Sequence, residues 1–197
     1  MPLQTSTHAS LLARIAGGSD TQAWREFDER YRELLWRFAR SRGLQAADAD
    51  DVAQEVLHAL TKRLPTFEYD PAKGRFRDYL KTSAAHAVWK KLAELSGAAK
   101  VTGGDDPTPD VAVIDDAVDK SWEAEWRQYH MRLAMARIRA EFNAQDVAAF
   151  EMYAAADQAA NDVASSLNLS VDQVYQAKSR ILRRLKAIIA EQTADEG

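Results

Sequence analysis

The chain has 197 residues, 22.0 kDa, 46% of them hydrophobic and 28% charged, so it can bury a sizeable core and is too apolar for wholesale disorder. Cysteine is absent, which excludes disulfides, thiolate nucleophiles and cysteine–zinc sites; the four histidines (His8, His58, His86, His130) are scattered and form no imidazole cluster. With 8 Gly, 5 Pro, a net charge of -4 and no apolar run of membrane length, the composition points to a mostly helical, cytoplasmic protein of a reducing compartment.

A short leading helix is expected over Ala9–Ala16. The first long helix covers Thr21–Arg42, where Trp24, Phe27, Tyr31, Leu34, Leu35 and Phe38 recur at helical spacing and Gly43 closes the end. A second runs over Ala47–Leu64, with Asp48, Asp50 and Asp51 in its first turn, where the helix dipole favours anions, and Pro65 stopping it. Val52, Val56, Ala59 and Leu60 make its apolar stripe, while Asp51, Gln54, Glu55 and His58 lie away from it. After a loop at Thr66–Gly74 comes a third helix, Phe76–Leu95. Its Phe76, Leu80, Ala84, Ala87 and Val88 point inward; Asp78, Thr82, His86 and Trp89 fall on the far side.

Residues 97–119 read as an acidic linker. They hold Gly97, Gly103, Gly104, Pro107 and Pro109, have no amphipathic period, and carry six acids against one base between Lys100 and Asp119. Fully extended, the linker spans roughly 75–80 Å. Beyond it, helices are expected over Ser121–Phe142, Asp146–Ala155, Asp157–Leu167 and Val171–Ala190, with no strand anywhere.

The last two form a helix-turn-helix. Asn168 can adopt the left-handed conformation that closes the first helix, and Ser170 is a ready N-cap for the second. Val174, Ile181, Leu185 and Ile188 gather on one side, and Tyr175, Gln176, Ser179, Arg180 and Arg183 on the other. An amide, a hydroxyl and guanidiniums on one helix face suit the reading of base edges in a major groove. Arg184 and Lys186 flank that face as phosphate contacts, whereas Lys178 falls near the apolar side and must snorkel. Five bases against one acid between Asp172 and Lys186 suggest a polyanionic partner. The bland reading of the same patterns is a solvated helix face here and a well-capped acidic helix start at Asp48–Glu55.

Taken together, these residues resemble a known family. Phe27 through Tyr31, Asp48–Val56, Phe67, Gly74-Arg75-Phe76 and Tyr79-Leu80 look like region two of the extracytoplasmic-function (group IV) sigma factors of bacterial RNA polymerase. Ala160-Asn161-Asp162-Val163-Ala164, Leu167, Leu169-Ser170 and Val174 through Leu185 look like their region four. The resemblance implies an all-α protein of two small helical domains. A region-two-like domain of three to four helices (21–96) follows an N-terminal extension (1–20), and the acidic linker (97–119) joins it to a region-four-like helix-turn-helix domain (120–197).

It also implies the function: binding core polymerase, recognising the minus-ten and minus-thirty-five promoter elements and promoting melting, with no catalysis, cofactor or metal of its own. By that resemblance, Asp48, Asp51, Gln54 and Glu55 contact core polymerase. Glu68, Tyr69 and Asp70 offer polar edges to a flipped minus-ten base. Lys73, Arg75, Arg77 and Lys90, with Lys81 and Lys91, hold the non-template backbone. Thr82, His86 and Trp89 sit on the strand side, where an exposed indole can stack an unpaired base, worth about 1–3 kcal/mol. Ser170, Tyr175, Gln176, Ser179, Arg180 and Arg183 meet the minus-thirty-five duplex. The implied partners are core RNA polymerase, through its clamp coiled coil and flap, promoter DNA, and an anti-sigma factor; the linker resembles the segment threaded through the RNA exit path.

The sequence departs from the family in places. His86, Lys90, Ala93 and Glu94 stand where members commonly carry an Asn and then an Asp-x-x-Arg pattern, so minus-ten recognition differs there, and Asn168 replaces the usual Gly. Two rival functions fit parts of the pattern. One is a helix-turn-helix regulator that binds DNA without polymerase, its N-terminal half a sensor or dimerisation domain. The other is a hydrolase using Asp48, Asp51 and Glu55 around a divalent ion, for which no partner helix offers matching ligands.

Overall fold

The computed structural model describes residues 8–17, 20–63, 76–97 and 115–194, and among these there is no strand. In chain order the helices are α1 (His8–Ala16), α2 (Thr21–Ser41), α3 (Ala46–Arg63), α4 (Phe76–Leu95), α5 (Asp116–Glu141), α6 (Ala144–Phe150), α7 (Ala160–Leu167) and α8 (Val171–Ala194). The all-α class expected from the sequence is the observed one. Two compact units divide inside α5, the first reaching Arg127 and the second running from Gln128 to Ala194.

In the first unit α2 is the central helix, packed against α1, α3 and α4. Asp20 caps it, its Oδ1 accepting from the Ala23 amide at 2.9 Å, and Arg14 of α1 ties both Asp20 and Glu26. Arg14 pulls the Asp20 carboxyl below its ordinary range by hydrogen bonding. Gly43, at φ +95, ends α2 as its position foretold, since that backbone geometry strains any residue with a Cβ. The Phe27 and Tyr31 rings meet at a tilt, 4.7 Å apart, and each lies 5.9 Å from Phe76 of α4, so one buried aromatic cluster pins α4 onto α2. Burial of each ring contributes about 1.5–3 kcal/mol.

α3 buries Val52, Val56 and Leu60 as its pattern indicates, together with Ala49, Ala53 and Leu57, while Ala59 is only half-buried. The face is wider than a single stripe because α3 packs on α2 and α4 at once. On α4, Phe76, Leu80, Ala84, Ala87 and Val88 are all buried.

The start of α5 differs from expectation. The helix begins at Asp116, within the stretch read as linker up to residue 119, and its residues through Arg127 fold with the first unit. The Asp115 carboxylate accepts from the Val118 amide at 2.8 Å, and Asp116 and Asp119 occupy the first turn. Acids that look like linker composition are therefore helix-start chemistry. Val118 and Trp122 are buried, and the Trp122 ring meets Phe38 of α2 edge-on at 5.2 Å.

The second unit holds the rest of α5, then α6, α7 and α8, around two apolar clusters. Ala134, Ile138, Val147, Phe150, Ile181, Leu185 and Ile188 form one. Ala149, Val163, Ala164, Val174 and Ala177 form the other. The expected helix over Asp146–Ala155 is α6 continued by a π-helical turn, Glu151–Ala155, and the next helix starts at Ala160 instead of Asp157. Asp157, at φ +53, breaks the chain between them. Asn168 takes the left-handed conformation (φ 53, ψ 49), and the Leu169 amide bonds back to the Ala164 carbonyl at 2.8 Å. Ser170 and Gln173 form a capping box: Ser170 Oγ accepts from the Gln173 amide at 3.2 Å, while Gln173 Oε1 accepts from the Ser170 amide at 2.7 Å. α8 then runs to Ala194, four residues past its expected end.

Candidate functional site

The two sets of residues assigned to separate tasks on α3 and α4 meet each other. Asp51, Gln54 and Glu55 are exposed and Asp48 is half-buried, all on the outer side of α3. Lys91 of α4 lies 2.8 Å from Asp51 and 3.3 Å from Asp48, and Lys90 lies 2.7 Å from Glu55. Hydrogen bonding to Glu55 raises the Lys90 ammonium above its ordinary range, and Asp51 does the same for Lys91.

At the other end of α4, Arg77 pairs with Glu123 of α5 while its guanidinium lies 5.0 Å over the Trp126 ring. Lys81 pairs with Asp119 at 2.9 Å. All four basic side chains of α4 are thus held by carboxylates. Thr82 is half-buried and its hydroxyl donates to the Asp78 carbonyl at 2.8 Å. His86 stands edge-on to Trp89 at 6.4 Å, and the indole is 49% exposed, as stacking on a base requires. Glu68, Tyr69, Asp70, Lys73 and Arg75 lie outside the described residues. Sequence reasoning missed Asp119, Glu123 and Trp126, although an acid–aromatic pattern at helical spacing from Asp115 onward was available.

On α8, Tyr175, Gln176, Ser179, Arg180 and Arg183 are exposed together, opposite buried Val174, Ile181, Leu185 and Ile188. Arg180 is engaged: its Nη2 lies 3.1 and 3.0 Å from the two carboxylate oxygens of Asp146. Arg184 reaches Glu141 at 2.6 and 2.8 Å, which lowers the Glu141 carboxyl below its ordinary range. Among the described residues Arg183 and Lys186 make no ion pair. Ser170 spends its oxygen on the cap. The misfit Lys178 settles with its ammonium 4.6 Å over the ring of Tyr153, and that ring meets Tyr175 at 5.4 Å and 75°. Tyr153 and Asp146 were not visible as site residues, because only the turn of the chain before α7 brings them to α8.

No group of three His, Asp or Glu side chains among the described residues could hold a metal ion, and none of the described helices is long and apolar enough to cross a membrane. Asp48, Asp51 and Glu55 are turned to lysines, not to one another as ligands would be.

Residues 27–96, from within α2 to just past the end of α4, match the family model Sigma-70 region 2. The sigma-factor resemblance read from the sequence is thereby borne out for its region-two part. Among solved structures, that of CnrH in complex with the cytosolic domain of CnrY is similar over 94% of this chain and 98% of that one, at 18% identity and a TM-score of 0.38. No curated protein matches the chain.

Proposed function

We propose that the chain is a sigma factor of the extracytoplasmic-function type, which binds core RNA polymerase, recognises a two-part promoter and helps to open it. The observation that carries this reading is the Sigma-70 region 2 match spanning α2 to α4, with an anionic, hydrogen-bonding surface of Asp51, Gln54 and Glu55 exposed on α3. That surface has the chemistry to dock on a basic helical element of the polymerase, Asp51 and Glu55 exchanging Lys91 and Lys90 for the cations of the partner, with Asp48 behind them. Exposed Trp89 supplies a stacking platform for an unpaired base, and the Tyr175–Arg183 face of α8 supplies donors and acceptors for duplex readout. Capturing unstacked bases would drive melting; the chemistry of RNA synthesis belongs to the polymerase.

The test is association with purified core enzyme, read by co-purification and run-off transcription. Gln54→Ala combined with Glu55→Arg should weaken association by at least about tenfold while circular dichroism stays unchanged, because it removes an amide and reverses a charge at the docking face. Undiminished association would refute the docking role. Duplex binding by the chain alone, with core enzyme having no effect on start-site choice, would instead favour the polymerase-independent regulator.

A further inference from the structure

The first turns of α5 occupy two of the six cations that the region-two reading gives to the DNA backbone. Asp119 takes Lys81 and Glu123 takes Arg77, both from outside α4, and Trp126 covers the guanidinium face. The segment is seated by more than charge. Trp122 is buried against Phe38 and stacks on Trp126 at 5.6 Å, and Ser121 Oγ lies 2.6 Å from Ser41 Oγ of α2. Its seat is nonetheless a mixed one. Trp122 Nε1 is buried with no acceptor among the described residues, so the indole is held by packing alone. The two acids are about half exposed, which makes both ion pairs sensitive to salt and open to competition.

A nucleic-acid phosphate and a carboxylate satisfy a guanidinium or an ammonium in the same way, and neither cation can fully serve both. From this we infer that the N-terminal part of α5, through Asp119 and Glu123, is an internal mimic of the DNA backbone that occludes the Arg77–Lys81 surface of α4 until a single strand displaces it. The inference rests on the region-two reading for the identity of the competitor. It assigns Asp119 and Glu123 a role that neither the family match nor the sequence pattern supplies.

The experiment uses the full chain and a fluorescent single-stranded oligonucleotide, with binding read by anisotropy. Asp119→Asn with Glu123→Gln keeps the shape of both side chains and removes their charge. This double variant should bind about fivefold more tightly than the unaltered chain, the scale of losing two exposed ion pairs. A control with the same charge change elsewhere, Asp50→Asn with Glu29→Gln, should gain less than about twofold, as expected of a screened, distant field. Adding Arg77→Ala and Lys81→Ala to the double variant should abolish its gain.

Equal affinity of the double variant and the unaltered chain would overturn the inference. So would an equal gain in the control, or a gain that survives loss of Arg77 and Lys81. Thermal melts confirm that each variant is folded. Core-polymerase association, measured on the same proteins, tests the region-two reading separately: a chain that still binds core enzyme but shows no unmasking refutes only the occlusion.

Discussion

α4 and α8 are the two helices proposed to meet DNA, and they differ in how completely their cations are matched by acids. On α4 each basic side chain is matched by an acid from another helix, with Lys90 and Lys91 on α3 and Arg77 and Lys81 on α5. On α8, Arg180 and Arg184 are tied to acids, but Arg183 and Lys186 form no ion pair among the described residues, and Tyr175, Gln176 and Ser179 stay exposed. The difference teaches that a positive count on a helix does not measure its readiness for a polyanion. What matters is whether the fold has already supplied the counter-charge. By that measure Arg183 and Lys186 of the proposed α8 face stand open to a polyanion, whereas Arg180 and the proposed α4 surface would first give up internal partners.

The most drastic way to break the comparison is to remove the platform of one helix and leave the other alone. Phe76→Ala empties the middle of the Phe27–Tyr31–Phe76 cluster and should cost about 3–5 kcal/mol, measured by urea denaturation. It should abolish single-strand binding while duplex binding through α8 persists at temperatures where the second unit stays folded. A smaller and reverse lesion is Asn168→Ala. A methyl side chain in the left-handed conformation at the turn before α8 should lower the stability of the second unit by about 1 kcal/mol, with Asn168→Gly close to neutral. Duplex affinity should follow the same order, and core-enzyme binding should not change.

The finest adjustment concerns Glu141, which pairs with Arg184 at 2.6 and 2.8 Å. Its carboxyl lies below its ordinary value of 4.5 in the folded chain, chiefly through the hydrogen bond from Arg184. Its contribution is therefore complete above pH 4.5 and fades as pH falls further, when the folded carboxyl takes up its proton. Glu141→Gln should cost about 0.5–1 kcal/mol at pH 7, the range for a partly exposed bidentate pair. In thermal melts the gap to the unaltered chain should close progressively below pH 4.5.

Much of this architecture was legible because it is local. Three-and-four spacing located α2, α3, α4 and α8, and Gly43, Asn168 and Ser170 marked ends that depend on one residue's backbone or one hydroxyl. The buried sides of α4 and α8 follow directly from their wheels. The pairing of Lys90 with Glu55 did not, since the partners are 35 positions apart and the register of α4 against α3 is a property of packing. The head of α5 was misread for another reason. Asp115, Asp116 and Asp119 look like solvated linker by composition, and only the amide of Val118 bonded to Asp115 reveals them as the opening of a helix. Among the candidate site residues, the exposed carboxylates of α3 and the polar face of α8 were readable. Asp119, Glu123, Asp146 and Tyr153 come into play only through tertiary structure.

The π-helical turn at Glu151–Ala155 bears on how this molecule can drift in sequence. Such a turn carries one residue more than the α-helix would use. Deleting a single residue there would let the coil close to α-helical geometry and shift the side chains of the turn by one position in register. Tyr153 would then lose its alignment with Lys178 and Tyr175. Met152 and Tyr153 also pack against the second apolar cluster, so both the length and the side chains of this stretch set how the front of α8 is presented.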